Sequence, residues 1–386
     1  MTPENIHTIS ILKSNLGDFA AQIRLCPELL DVIREGFQIA TDEGVILDSV
    51  IHLTGRELLL LITHTHDKGS SEVEGIVIDA FNASVAIAKD LRLPISAPLF
   101  SDENPSGGLL EKGFTVLEFD FNLHCDEDIV VLVSDKNVGG IWNLPFYRIF
   151  ADPLNTSGLV KDALMTEGFI FQLADRRLGR EAEFRTPEDL HRLLSVIGGA
   201  SRYDVTTVRR VSDNEVAGLV AVNNSGIKGS PHSSIKRPQE EGSGEVAVLR
   251  CGQGFATIEE VTAPFKSLQL GIATEGRSLT TLMPLSLSDS LNFQVENLAP
   301  VLAIGYSVRG GRLLGPNDLF GSPSFESARD CALGLSESLR VQGVFGPKSG
   351  LETRSHLSVL PTSQGAEVSN LSNSNLEPQK LLRRPE

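Results

Sequence analysis

The sequence predicts an α+β fold in which paired helices lie over large, mostly antiparallel sheets. Three observations predict it: apolar runs of strand length, long amphipathic helical patterns, and turn signals of hairpin length between successive strands. IHTISILK (6–13) alternates as a strand does. PELLDVIREGFQIATDEG (27–44) places Leu29, Leu30, Ile33 and Phe37 at helical spacing, and Gly44 closes it. VILDSVIHL (45–53) and ELLLLITHT (57–65) then form a hairpin around Thr54-Gly55, and a second helix over 71–92 presents Ile76, Ala80, Ala83 and Ile87 on one face.

After a Pro/Ser/Gly loop at 94–108, FTVLEFDF (114–121) and DIVVLVSD (128–135) read as strands. NLPFYRIFADPLNTSGLV (143–160) has the composition of an ordered, packed loop. A helix follows near 186–197, with Thr186-Pro187 supplying the N-cap and first turn. Residues 205–222 form a hairpin turning at Ser212-Asp213-Asn214. The polar stretch 223–245 is longer than a connection requires. A helix near 325–341 carries Ala328, Cys331, Leu333 and Leu339, and the Ser/Asn-rich tail from Pro361 reads as disordered.

Composition narrows the function. The 386 residues are 41% hydrophobic and 22% charged, as in soluble globular proteins. A net charge of −16 argues against a nucleic-acid partner, since phosphate backbones are bound by basic faces. Cys26, Cys125, Cys251 and Cys331 are scattered without a CxxC pair, which fits a reducing cytoplasm better than a zinc site or disulfide framework. No basic start precedes an apolar stretch and no run of 18 apolar residues occurs, so neither a signal peptide nor a membrane span is expected.

Glycines in GQGF (252–255) and RGGRLLGP (309–316) read as turn glycines, and HCDED (124–128) as a solvated acidic turn. His64 and His66 fall on one face of an extended strand, where they pack its end or, with a third ligand, hold a metal. Arg56-Glu57 stands at the mouth of a buried strand, and Asp135-Lys136 at the C-terminal lip of another.

Five blocks in order resemble one known family: TISILKSNLGDFA (8–20), GVILDSVIHLTGRELLLLITHTH (44–66), VSDKNVGGIWNLPFYRIFADPLNTSGLV (133–160), LMPLS (282–286) and GRLLGPNDLFGSPSFE (311–326). It is the archaeal and bacterial fructose-1,6-bisphosphate aldolase/phosphatase family. The resemblance implies a single α-β-β-α layered domain over residues 1–360, a tail over 361–386, and assembly into octamers. It also implies a cytoplasmic enzyme of gluconeogenic carbohydrate metabolism. Such an enzyme uses several Mg²⁺ ions, held by Asp and His against the sugar phosphates, and a Schiff-base lysine.

Carried over residue by residue, the resemblance changes most of that site. The family's first metal-binding aspartate is Asn15 here, and a metal-binding histidine is Gln22. Its Gly-Asp-Asp becomes Gly55-Arg56-Glu57, and a site glutamine falls in the gap around Ala97-Pro98. The Asp-Lys pair is kept as Asp135-Lys136. The Schiff-base motif reads Lys228-Gly229-Ser230-Pro231, and an insertion makes Lys236 a competitor for that role. The tyrosine before the lysine is Ser225, a phosphate-binding arginine aligns with Glu275 two residues from Arg277, a late aspartate is Glu296, and a C-terminal tyrosine is Leu357.

Magnesium clusters need anionic oxygen ligands to offset their own repulsion, so Glu57 and Asp135, with the neutral Asn15 and Gln22, make a degenerate metal set. Arg56, Lys136 and Arg277 would instead bind an anion directly. The sequence thus points to a diverged homologue without the multi-magnesium phosphatase, retaining a sugar-phosphate or other anion pocket. Two alternatives stay open: an active sugar bisphosphatase/aldolase, and a metal-free lysine Schiff-base enzyme on another carbonyl compound.

Overall fold

Strand β3 (Glu57–His64, ELLLLITH) is buried at every position, and burial on both its faces organises the molecule. Successive side chains of a strand point to opposite faces, so only a strand covered on both sides reads as an unbroken apolar run. The computed structural model describes residues 6–15, 26–54, 57–93, 108–109, 114–122, 126–134, 140–175, 178–198, 202–221, 246–267, 269–272, 279–290 and 298–341.

β3 pairs antiparallel with β1 (Ile6–Asn15) and β2 (Asp48–Thr54), and β4 (Thr115–Asn122) joins the far side of β1. The resulting four-stranded sheet has the order β2-β3-β1-β4. Helices α1 (Pro27–Asp42) and α2 (Ser71–Asp90) cover one face, where Ile33, Phe37, Val77 and Phe81 pack on Leu12, Leu58, Leu60 and Ile62. The opposite face presents Ile9, Ile11, Leu59, Leu61, Leu117 and Phe119 to a second sheet. Each such buried Leu, Ile or Phe contributes on the order of 1.5–3 kcal/mol.

The second sheet is built from β5 (Glu127–Ser134), β6 (Phe169–Asp175), β7 (Arg180–Arg185), β8 (Tyr203–Arg210) and β9 (Val216–Ala221). It continues through β10 (Val246–Cys251), β11 (Gln269–Ile272), β12 (Leu279–Pro284), β13 (Leu298–Arg309) and β14 (Arg312–Asp318). Its ten strands run β11-β12-β13-β5-β10-β9-β8-β6-β7, with β14 paired to β13. β12 and β13 are parallel, and the other described pairs are antiparallel. At the β7 border Arg180, Glu181, Glu183 and Arg185 are exposed and only Phe184 is buried.

The remaining helices are α3 (Asn143–Ala151), α4 (Gly158–Lys161), α5 (Leu190–Ile197), α6 (Ile258–Thr262), α7 (Leu287–Ser290) and α8 (Glu326–Val341). On the outer face of the large sheet Trp142, Phe146, Ile149, Phe150 and Leu193 pack against Phe169, Phe171 and Val208. Gly218 lies under this layer, where an added Cβ would stand 2.8 Å from the Phe146 ring and 3.2 Å from that of Phe150. The architecture is thus α-β-β-α with three apolar layers between.

Several elements differ from the sequence expectation. The packed loop at 143–160 contains α3, because Phe146, Ile149 and Phe150 recur at helical spacing and Pro145 sits in the first turn, where its missing N–H costs nothing. α2 buries Val73, Val77, Ala80, Phe81, Ser84 and Ala88 rather than the face through Ile76, Ala83 and Ile87. The large Phe81 ring, set edge-on to Phe114, fixes that rotation. In α8 Ala328, Ala332 and Ser336 face inward while Cys331 and Leu333 are exposed. α5 begins at Leu190, and the Thr186 hydroxyl is spent instead on the backbone of Phe169.

Within HCDED, Glu127 is drawn into β5 and ion-pairs with Arg250, and burial pushes its carboxyl up. Of the glycines in GQGF and RGGRLLGP, Gly252, Gly254, Gly310 and Gly311 have the positive φ of turn positions, whereas Gly315 lies inside β14. Cys26, Cys251 and Cys331 are free thiols. No described helix is long and apolar enough to cross a membrane.

Candidate functional site at the mouth of the two sheets

Strand register decides which loops can meet. In the small sheet Asn15, the last residue of β1, stands opposite Glu57, the first of β3, and Lys13 opposite Thr115, the first of β4. In the large sheet Ser134, the last of β5, is level with Val301 of β13, and Val133 is opposite Val246, the first of β10. Val246 also faces Ala221, the last of β9, and Thr281 near the start of β12 faces Leu298, the first of β13. All these strand ends lie at one end of the layered pair.

A buried lysine ties the two sheets together there. Lys13 follows Ile9 and Ile11 on the face of β1 that meets the large sheet, and its side chain is 0% exposed. Its ammonium forms an ion pair with Glu57, itself 6% exposed, and donates a 2.7 Å hydrogen bond to the carbonyl of Ser134. A charge taken wholly out of water is tolerable only when paired and hydrogen-bonded, and Lys13 is both. One side chain therefore joins β1, the hairpin and the lip of β5.

Of the sequence-predicted residues, Asn15 and Glu57 face one another across the small sheet. Gln22, Arg56, Asp135, Lys136, Lys228, Lys236, Arg277 and Glu296 lie outside the described residues. Their described chain neighbours are the strand ends just named: Thr54 and Glu57 flank Arg56, Ser134 precedes Asp135, Ala221 and Val246 bracket the two lysines, and Leu279 and Leu298 follow Arg277 and Glu296. Lys13 and Ser134 were not among the predicted site residues. The available signal was the period-two pattern Ile9, Ile11, Lys13, which sets a single cation on an otherwise apolar inner face.

The other end of the small sheet carries a different polar cluster. The Ser10 hydroxyl donates to Glu118 Oε1 at 2.6 Å and lies 2.8 Å from His64 Nε2. Its one proton being committed to Glu118, His64 must donate through Nε2, which leaves Nδ1 unprotonated and, among described residues, unpartnered. Burial holds the His64 imidazole below its ordinary pKa. His66 sits 3.2 Å from the Val45 carbonyl through Nε2, and the Thr8 hydroxyl donates to the His66 carbonyl at 2.8 Å. Both histidines are therefore engaged in packing the strand end.

The fold and its Lys13 end together define a class, a layered α+β protein with a buried ion pair where two sheets end side by side. The family model described as Fructose-1,6-bisphosphatase matches residues 6–359. The fructose-1,6-bisphosphate aldolase/phosphatase of Ignicoccus hospitalis is 31% identical, over 88% of this chain and 86% of that protein. Proteins of the same name from Metallosphaera sedula and Moorella thermoacetica are each 29% identical, covering 92% and 88% of this chain and 91% and 87% of their own. The chain belongs to the fructose-1,6-bisphosphate aldolase/phosphatase family.

The magnesium that the family resemblance implies can be tested against the donors at the mouth. Mg²⁺ binds hard oxygen ligands, mostly carboxylates, in near-octahedral geometry. Among described residues no group of three or more His, Cys, Asp or Glu could hold a metal ion. Glu57 already has the Lys13 ammonium against it, which offsets its charge. The described donor set does not fit a magnesium cluster.

Proposed function

We propose that this chain binds a sugar phosphate, or a small anion of like chemistry, at the mouth of the two sheets, without the multi-magnesium phosphatase step. The observation that carries the reading is the Lys13–Glu57 ion pair, which engages the carboxylate standing where the family resemblance implies two metal-gripping aspartates. Arg56, Lys136 and Arg277 supply side-chain charge for the phosphoryl oxygens, a role guanidinium and ammonium groups both perform well. Lys228 or Lys236 supplies an amine that an aldol or imine step would need. Self-association into an octamer belongs to the same reading and is measured by light scattering.

The second reading, an active sugar bisphosphatase/aldolase, is favoured by the names of the relatives that match most of this chain. One experiment separates the two. Purified protein is titrated calorimetrically with fructose 1,6-bisphosphate, with and without Mg²⁺, while phosphate release and borohydride-trapped adducts are followed. Saturable binding indifferent to Mg²⁺, with no phosphate released, is the expected result. Mg²⁺-dependent release that Glu57→Gln and Asp135→Asn abolish overturns it in favour of the enzyme. A trapped adduct on Lys228 or Lys236 without phosphate release assigns imine chemistry instead.

A further inference from the structure

From the same geometry we infer that Lys13 is a positioning residue, which sets the mouth by holding the last carbonyl of β5 against the hairpin. The inference shares its site with the proposed function but does not depend on the ligand. Lys13 cannot serve as an exposed nucleophile or solvent-facing anion clamp, because its side chain is fully buried. What it does is span the layer between the sheets, with Glu57 on one side and the Ser134 carbonyl on the other. Ser134, the last residue of β5, immediately precedes Asp135 and Lys136 in the sequence.

Ser134 ends β5, and a buried side-chain donor bound to its carbonyl helps to fix the position of that strand end. The far end of the same layer is closed by a separate link, a hydrogen bond from the Thr63 hydroxyl to the Gly311 carbonyl. Loss of Lys13 should therefore loosen the mouth and not the whole pairing of the sheets. The described chain resumes at Gly140, whose N–H donates to Asp204 Oδ1 at 2.7 Å, two residues before Trp142. Trp142 is 1% exposed and is the chain's single tryptophan, which makes its fluorescence a local reporter of the packing where the described chain resumes.

The test compares Lys13→Met, the double variant Lys13→Met/Glu57→Met, and Glu57→Gln, all in the full chain. The double variant removes both charges and so retains the fold even where Lys13→Met alone fails to. The readouts are melting temperature, acrylamide quenching of Trp142, and affinity for inorganic phosphate and fructose 1,6-bisphosphate. In the double variant the melting temperature should return close to wild type. Trp142 quenching should still rise severalfold, and any wild-type affinity should fall at least tenfold. Glu57→Gln loses the counter-ion but keeps the donor to Ser134, so it should melt lower than wild type and yet leave Trp142 protected at temperatures below its own transition. A double variant with Trp142 as protected as in wild type overturns the inference, as does a Glu57→Gln chain quenched as readily as the double variant. If wild type binds neither anion, the proposed function fails and the Trp142 comparison still decides the role of Lys13.

Discussion

The two ends of β1 handle buried polarity in opposite ways. At the mouth Lys13 carries a full charge, met by Glu57 and by a carbonyl of the other sheet. At the far end Ser10 and Thr8 make hydrogen bonds to His64, Glu118, Asp120 and the His66 carbonyl, all within the small sheet and its adjoining turn. The first arrangement couples two sheets and loses heavily if one partner goes. The second is a set of hydroxyl-centred bonds, each of which loses less when removed than a buried charge stripped of its counter-ion. A strand can thus be rigidly committed at one end and adaptable at the other.

The largest effect should come from breaking the ion pair on one side only. Lys13→Met leaves the Glu57 carboxylate buried without its ammonium and should cost about 3–5 kcal/mol in urea-unfolding free energy. Adding Glu57→Met should return most of that loss, since a buried ion pair replaced by apolar groups of similar size is often neutral to stability. At the far end Ser10→Ala removes the hydroxyl between His64 and Glu118 and should cost about 1–3 kcal/mol. If Ser10→Ala costs as much as Lys13→Met, the contrast between the two ends does not hold.

Acid should weaken the histidine sites, with a sign that follows from burial. His64 and His52, the latter hydrogen-bonded to the Tyr306 hydroxyl across the sheets, are both held below the unfolded value of 6.5, His52 at about 4. Below pH 6.5 the unfolded chain binds protons that the folded chain refuses, so their contribution is complete above 6.5 and is lost as pH falls, for His52 down to about 4. The unfolding midpoint in urea, followed from pH 8 to pH 4, should drop along this arm, and His52→Gln should make the drop shallower. An unchanged slope in that variant rules His52 out as a contributor. The smallest effect belongs to Lys68→Ala, which removes a 2.9 Å pair with Asp120 in which both side chains are nearly half exposed. It should change stability by less than about 1 kcal/mol.

Much of the small sheet was legible because β3 and α1 bury what their patterns say they should, whereas β1, which alternates in sequence, is buried at Thr8, Ser10 and Lys13 as well. The α2 face was not, since Ile76, Ala80, Ala83 and Ile87 also recur at helical spacing and only the partner surface, with Phe114 against Phe81, chooses between faces. α3 hid behind its Pro and Asn, residues as common in loops as in a first helical turn. The role of Lys13 leaves no local sign in the sequence. Its counter-ion is 44 residues away, and only the pairing of β1 with β3 and the packing of the two sheets bring the groups together. The gathering of strand ends was likewise invisible locally, since register across a ten-stranded sheet is a property of the whole.

The charged border at β7 carries a consequence for how copies of the chain can touch. A long sheet that ended in a flat apolar strand would offer its unpaired N–H and C=O groups as a template for another strand. Here Glu183 is held by Arg209 and Glu181 by Gln172, so a strand docking on that border would have to share it with bound charge. The ten-stranded sheet is in effect hemmed, and growth of the sheet from one molecule into the next is discouraged where it would otherwise be easiest.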